Sequence, residues 1–130
     1  ETTIVCFSRE GGCQMSIQVL GTILVQQAPV KMILLNNNYL GNVRQWQDLM
    51  FEGRRSFTHM LNPRYAEVAH AYGIPYDVVI DRKDLKAKVE KMIATKGPYL
   101  LECAIKEDED IVPMTLPGKS VDEMQLELNY

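Results

Sequence analysis

Several patterns that mark common protein classes are missing from this sequence of 130 residues. It has three cysteines and no Cys-x-x-Cys pair, so neither a zinc site nor a disulfide scaffold is indicated. Lys and Arg number 14 against 17 Asp and Glu, no basic patch stands out, and nucleic acid is not an expected partner. No apolar run reaches the roughly 18 residues of a membrane span, so we expect no membrane partner.

Three catalytic signatures are also absent. Ser8 and Ser16 do not stand in a Gly-x-Ser-x-Gly motif, which argues against a serine nucleophile. The stretch REGG, residues 9–12, lacks the Gly-Lys-Ser/Thr ending of a phosphate-binding P-loop. His59 and His70 have no Cys or carboxylate at ligand spacing, so we expect them in solvated or capping roles.

What is present is an alternation of apolar strands and amphipathic helices. The predicted strands are residues 3–7, 30–35, 77–80 and 99–105. The predicted helices run from Cys13 to the breaking Pro29, and over 40–51, 62–72 and 82–95, with a short last helix in the tail. This order predicts an α/β fold, a three-layer α/β/α arrangement with a mainly parallel sheet, as one domain over residues 1–130.

Three of these elements carry more detailed predictions. The apolar strand 3–7 should be buried, as parallel strands usually are. Asn62 and Pro63 read as the cap and first position of a helix that Gly73 ends. Helix 40–51 should pack through the apolar residues Val43, Trp46, Leu49 and Met50. The three cysteines, in apolar contexts, are expected to be reduced core thiols of a cytoplasmic protein: Cys6, Cys13 and Cys103.

Polar residues follow the first two strands where each strand ends. Glu10 stands beside Gly11 and Gly12 after the first strand, and Asn36 to Asn38 follow the second. In parallel sheets ligands bind outside the carboxyl ends of the strands, so these groups can meet. A carboxylate with amide oxygens suits Mg²⁺ or Ca²⁺, and the glycines let backbone N–H groups approach a diphosphate. The alternative is an ordinary tight turn and a polar loop.

The sequence also resembles a known family over nearly its whole length. The blocks that carry the resemblance are QMSIQVLGTI, PVKMILLNNNYLGNVRQWQDLMF, NPRYAEVAHAYGIP, GPYLLECAI and VPMTLPGKSVDEM. They are similar to the C-terminal part of the large, catalytic subunit of acetolactate synthase (acetohydroxyacid synthase). Enzymes of this type carry a thiamin-diphosphate motif, in which a Gly-Asp-Gly turn precedes a pair of asparagines.

The resemblance implies a role for individual positions. Three would hold Mg²⁺, the last through its backbone carbonyl: Glu10, Asn37 and Tyr39. Four would lie against or near thiamin diphosphate: Gly11, Gly12, Met15 and Gly41. Trp46 would line the substrate channel, which other domains complete, so we expect it partly exposed here. The resemblance places no catalytic residue in this chain, because the family's catalytic glutamate belongs to the N-terminal domain of a partner chain.

The sequence departs from the family at the turn itself. Arg9 and Glu10 stand where the family has Gly-Asp, Cys13 replaces a phenylalanine, and Asn42 lies where many relatives have methionine. Glu10 keeps the charge but is one methylene longer, and Mg²⁺ requires near-ideal octahedral geometry. If position 9 needs φ > 0, Arg9 costs roughly 1–2 kcal/mol.

The implied activity is decarboxylation of pyruvate and its condensation with a second 2-keto acid, in branched-chain amino acid synthesis. FAD, bound outside these residues, a homo-oligomer and a small regulatory subunit are implied as well. The chain starts without Met and enters a strand at once, so we expect a fragment of a longer protein. The resemblance implies that it lacks the first strand-helix unit of the domain, which would expose a sheet edge, and that it is inactive by itself. Alternatives are glyoxylate carboligase, pyruvate oxidase, or a non-catalytic module for oligomer contact.

Overall fold

The computed structural model describes residues 3–127, which divide into two compact units. The first, the sheet unit, comprises the described residues up to Asn38 together with Leu61–Ile105. The second unit comprises Tyr39–Met60 together with the described residues from Lys106 onward.

The sheet unit is built on four parallel strands in the order β1-β2-β4-β3. The strands are β1 (Ile4–Arg9), β2 (Val30–Asn36), β3 (Tyr76–Val79) and β4 (Tyr99–Ala104). β2 and β4 are the central strands, in a register that sets Leu34 beside Ser8 of β1 and Glu102 of β4. The predicted α/β fold with a parallel sheet is therefore confirmed, and each strand lies within about two residues of its prediction.

Four helices of the sheet unit pack on the two faces of this sheet. They are α1 (Glu10–Met15), α2 (Val19–Gln26), α4 (Tyr65–Ala71) and α5 (Leu85–Ala94). Side chains alternate along the central strands and so fill two cores. One core, which includes residues of α2 and α4, contains Leu20, Ile23, Leu34, Tyr65, Ala69, Ile74 and Leu100. The other, which includes α5, contains Ile33, Val79, Met92, Tyr99, Leu101 and Cys103.

Two helix predictions in the sheet unit need correction. The helix expected from Cys13 to Pro29 is two helices, α1 and α2, separated by a turn at residues 16–18. Helix α4 begins at Tyr65 with no side-chain cap, so the expected cap at Asn62 is wrong. The Asn62 amide instead makes hydrogen bonds to other polar side chains, and this competes with capping. Gly73, at φ 64°, follows the helix as expected.

Strand β1 is exposed, contrary to the prediction of a buried strand. Ile4, Val5 and Phe7 are 55%, 41% and 67% exposed. Within the described residues β1 pairs only with β2, and α5 contacts β3 and β4. A sheet edge is therefore open, as expected.

Of the thiols, only Cys103 is buried, whereas Cys13 is half-buried and Cys6 exposed, so the prediction of three core thiols is wrong for Cys6.

The second unit contains helix α3 (Gly41–Met50) and a 3₁₀ turn at Val121–Glu123, where the short last helix was predicted. The apolar residues Val43 and Met50 are about half exposed, whereas Arg44 and Gln45 are buried. Arg44 bonds the carbonyls of Glu107 and Glu109 and pairs with Asp110 at 2.9 Å. These contacts attach α3 through its polar face, contrary to the prediction of an apolar stripe.

Gln45 adds to the same attachment. Its Nε2 donates to the Ile111 carbonyl and its Oε1 accepts from the Ile111 N–H, both at 2.9 Å. Membrane-spanning length and hydropathy are found in none of the helices within residues 3–127.

Candidate functional site

The candidate site lies where β1 and β2 end. Glu10 is the first residue of α1, directly after the last residue of β1, and Asn37 directly follows β2. The Asn37 N–H donates to Glu10 Oε1 at 3.3 Å. Both residues are buried, at 0% and 4% exposure. The structure therefore brings the Glu10 carboxylate against the backbone of Asn37, at the adjacent strand ends where the sequence placed these two residues.

Arg9 enters the same site from the end of β1. Its Nη2 donates to Asn37 Oδ1 at 2.7 Å, which is the length of a strong charge-assisted hydrogen bond. The backbone of Arg9 is extended, with φ −94° and ψ 162°, a conformation that any residue adopts. The strain considered for a side chain at this position therefore does not arise.

The two glycines lie inside the first turn of α1, not in a turn before it. A Cβ at Gly12 would approach Ser8 Oγ to 3.3 Å, closer than most side-chain contacts. Gly12 thus has a packing reason to be glycine, in addition to the cofactor contact that the resemblance implies. Met15, at the end of the same short helix, is 83% exposed.

A network of amides holds the three-asparagine segment. Asn62 Nδ2 donates to Asn36 Oδ1 and to Asn38 Oδ1, each at 3.0 Å. Asn62 Oδ1 accepts from Gln14 Nε2 at 2.7 Å and from the Tyr65 hydroxyl at 3.3 Å. The network fixes Asn38 in the left-handed region, at φ 56°, which asparagine tolerates better than most residues. The sequence pattern predicts a helix cap at Asn62 and no role for Gln14, so neither residue was expected in the site.

The network continues across the sheet to β4. Asn36 Nδ2 donates to Glu102 Oε1 at 2.7 Å, and the Tyr76 hydroxyl donates to Glu102 Oε2 at 2.6 Å. Burial, together with the hydrogen bond to Glu102, raises the pKa of Tyr76 above its usual range. Burial also raises the pKa of Tyr65 to about 12. Both phenols therefore keep their protons at neutral pH and act as hydrogen-bond donors.

The other residues assigned by resemblance belong to the second unit. Tyr39 forms an antiparallel bridge with His59, and their rings meet edge to face at 5.1 Å. The Arg44 guanidinium carbon lies 5.5 Å from the centre of the Tyr39 ring. Gly41 begins helix α3, and Trp46 lies within it, partly exposed as expected. His59 and His70 are both exposed, which confirms their solvated roles.

The polar side chains at the strand ends decide whether a divalent ion can bind. The sheet unit offers the Glu10 carboxylate and the Asn37 carboxamide, but Asn37 Oδ1 already accepts from the Arg9 guanidinium. An ion on that oxygen would have to displace a cationic donor and stand beside its charge. In this arrangement the side chains fit a guanidinium and do not fit Mg²⁺. No group of three or more His, Cys, Asp or Glu within residues 3–127 could hold a metal either.

Comparison with known families decides the membership of the chain. Residues 1–103 match the family described as thiamine pyrophosphate enzyme, C-terminal TPP binding domain. The chain belongs to this family. The position of Glu10 and Asn37 at adjacent strand ends is thus part of a thiamin-diphosphate-binding domain, thiamin diphosphate and thiamine pyrophosphate being the same molecule.

Curated relatives support the narrower resemblance. The chain is 41% identical over 123 residues to the acetolactate synthase isozyme 2 large subunit of Escherichia coli, a match that covers 94% of this chain and 22% of that protein. It is 37% identical to the acetolactate synthase large subunit of Cyanidium caldarium, in a match that covers 93% of this chain and 21% of that protein. It is 38% identical to the chloroplastic acetolactate synthase 2 of Nicotiana tabacum, in a match that covers 91% of this chain and 19% of that protein. The chain thus spans about a fifth of these relatives.

A solved structure has the same fold. The thiamine diphosphate-dependent 4-hydroxybenzoylformate decarboxylase of Rhodococcus jostii RHA1 superposes with a TM-score of 0.76 at 21% identity. The match covers 85% of this chain and 21% of that one. At this identity the likeness concerns the fold, and it agrees with the parallel sheet described above.

Proposed function

We propose that this chain is part of a thiamin-diphosphate-dependent acetolactate synthase and contributes the diphosphate end of its cofactor site. The observation that carries the proposal is the meeting of Glu10 and Asn37 at 3.3 Å, in a domain that matches the thiamin-diphosphate family. The similarity to three acetolactate synthases, at 37–41% identity, supports this reaction class over other carboligases or oxidases.

The residues of this chain would bind and orient, while the carbon chemistry belongs to the cofactor. When bound, thiamin diphosphate supplies a carbanion equivalent for attack on a 2-keto acid and accepts the electrons released by decarboxylation. Asn36, Asn38 and Asn62 hold the strand-end segment in one conformation, which preorganises the site. Gly11 and Gly12 leave room for the diphosphate. Met15, Gly41 and Trp46 are proposed to contact the cofactor or the substrate.

Further parts of the proposal concern the whole protein. Its substrates would be pyruvate and a second 2-keto acid, and its product would serve branched-chain amino acid synthesis. The protein would work in the cytoplasm as a homo-oligomer. A small regulatory subunit would be a further partner. FAD would bind outside these residues. Mg²⁺ on Glu10, Asn37 and the Tyr39 carbonyl belongs to the family pattern, and in this chain the hydrogen bond from Arg9 to Asn37 Oδ1 opposes it.

The test compares the full-length protein with the chain of 130 residues. The full-length protein should form acetolactate from pyruvate in the presence of thiamin diphosphate. The chain alone should form none, because a general acid–base group must be positioned at the cofactor's aminopyrimidine ring and the resemblance places that group in another domain. Analysis of the products that each of the two proteins forms from pyruvate and from glyoxylate measures these activities.

The outcomes separate the alternatives. Tartronate semialdehyde from glyoxylate would indicate glyoxylate carboligase, and oxygen-dependent formation of an acetyl product would indicate pyruvate oxidase. A full-length protein that binds no thiamin diphosphate in calorimetry would leave only the non-catalytic module. Turnover by the isolated chain would contradict the assignment of catalysis to another domain.

A further inference from the structure

We infer that Glu102, on the central strand β4, is a positioning residue for the proposed cofactor site. Its carboxylate accepts hydrogen bonds from Asn36 Nδ2 at 2.7 Å and from the Tyr76 hydroxyl at 2.6 Å. Through Asn36 it sets the conformation of the backbone that presents Asn37. The inference rests on the proposed function, because that proposal places Asn37 at the diphosphate end of the cofactor.

Glu102 lies in the middle of the sheet, where an unpaired charge is costly. It stands between Leu34 of β2 and Val78 of β3 in the register of the strands. Leu34 is 1% exposed, and side chains at paired positions share one face of the sheet. Within residues 3–127 no Lys or Arg forms an ion pair with Glu102, so uncharged donors hold it. An apolar residue of similar volume would avoid the desolvation cost, so stability alone does not explain the carboxylate.

The carboxylate determines which way the Asn36 amide points. An ionised carboxylate accepts hydrogen bonds and donates none, so Asn36 turns its Nδ2 toward Glu102. The Asn36 Oδ1 then faces the strand-end segment, where it accepts from the Asn38 N–H at 3.1 Å and from Asn62 Nδ2 at 3.0 Å. If the amide turned over, its NH₂ group would face these two donors, and both hydrogen bonds would be lost.

The turn that this amide closes presents Asn37. The hydrogen bond from the Asn38 N–H back to Asn36 Oδ1 spans Asn37, as in an Asx turn. Within that turn the Asn37 N–H donates to Glu10 Oε1 at 3.3 Å. Glu102 therefore acts on the site through one side chain and one turn, without contacting the cofactor.

The experiment measures the KM for thiamin diphosphate and the kcat for acetolactate formation in variants of the full-length protein. Glu102→Leu removes the acceptor, so KM should rise by about tenfold or more, the effect of losing one hydrogen bond to a charged group. At saturating cofactor, kcat should stay within about twofold, because the carbon chemistry belongs to the cofactor. In Glu102→Gln the new amide can accept from Asn36 and donate to the Tyr76 hydroxyl, so KM should stay within about threefold of the natural value.

Two further variants separate positioning from stability. Asn36→Ala removes the same contact from the other side and should raise KM by the same factor, so it also serves where Glu102→Leu does not fold. Val79→Ala truncates a residue that is 6% exposed in the other core, so it should lower stability and leave KM unchanged. A KM within about threefold of the natural value in both Glu102→Leu and Asn36→Ala would overturn the inference, and so would a Glu102→Gln protein as impaired as Glu102→Leu.

Nuclear magnetic resonance of the chain of 130 residues tests the contact without catalysis. The Asn36 side-chain NH₂ protons should exchange slowly with water in the natural chain and in Glu102→Gln. In Glu102→Leu their exchange should be at least about tenfold faster, because the acceptor is gone. Unchanged exchange would overturn the inference whatever the activity. If the natural full-length protein forms no acetolactate, the proposed function fails, and this comparison alone decides whether Glu102 positions the strand end.

Discussion

The side chain of Asn62 offers a direct test of how the strand-end segment is held. The substitution Asn62→Ala removes four hydrogen bonds, to Asn36, Asn38, Gln14 and Tyr65. It leaves the helix α4 backbone unchanged, because Asn62 lies outside that helix and does not cap it. The substitution therefore removes the network with little other change.

The cost can be estimated from the geometry. A hydrogen bond contributes about 1 kcal/mol net, and a buried group left without its partner costs about 1–3 kcal/mol. The two bonds at 3.0 Å and the one at 2.7 Å have good geometry, and the bond from Tyr65 at 3.3 Å is weaker. Asn36 Oδ1 still accepts from the Asn38 N–H at 3.1 Å, which reduces the loss. We expect a loss of about 2–3 kcal/mol in the free energy of unfolding.

The assay is urea-induced unfolding followed by far-ultraviolet circular dichroism. A loss of this size is a large part of the total stability of about 5–15 kcal/mol that domains have, so the midpoint should fall clearly. The matched control is Asn42→Ala, because Asn42 is exposed on helix α3 and its loss should matter by less than about 0.5 kcal/mol. An Asn62→Ala chain as stable as this control would refute the reasoning.

Two other predictions concern single side chains. Burial by itself would raise the pKa of Asp77, but hydrogen bonds from Lys91 and Lys88 hold that pKa below its ordinary value of 3.8. The ion pairs of Asp77 should therefore stabilise the folded chain by about 1 kcal/mol at neutral pH, and this contribution should be lost as the pH falls through the pKa that Asp77 has in the folded state. Urea midpoints of Asp77→Asn should approach those of the natural chain in acid, and a constant difference would contradict this. Trp46 is partly exposed, so acrylamide should quench its fluorescence, and protection would indicate a core role.

The sheet and the meeting of Glu10 with Asn37 could be predicted because both follow from strong local signals. The runs MILL in β2 and YLL in β4 are apolar enough to occupy the centre of a sheet. Once the strands are parallel, their carboxyl ends share one edge, and residues that directly follow β1 and β2 are neighbours. No long-range information is needed for that inference.

The remaining features depend on contacts between residues far apart in the chain. Arg44 and Gln45 are buried because carbonyls and a carboxylate some 65 positions later accept their hydrogen bonds, and a hydrophobic pattern carries no signal of this. Asn62 is a second example. Its place before a proline predicts a helix cap, but its hydrogen-bond partners are side-chain amides from α1 and β2. The exposure of β1 depends on what covers a face of the sheet, which the strand's own composition does not determine.

The departures from the family pattern at positions 9 and 10 are easier to explain together than separately. Arg9 in place of glycine would place a charge beside a metal site, and Glu10 in place of aspartate would add a methylene where Mg²⁺ leaves little tolerance. In this chain both residues act through Asn37, whose Oδ1 accepts from the Arg9 guanidinium and whose N–H donates to the Glu10 carboxylate. Residues in one hydrogen-bonded network are coupled, so restoring one position alone leaves the other in an environment that suits neither arrangement. The two positions are therefore one unit, joined through Asn37.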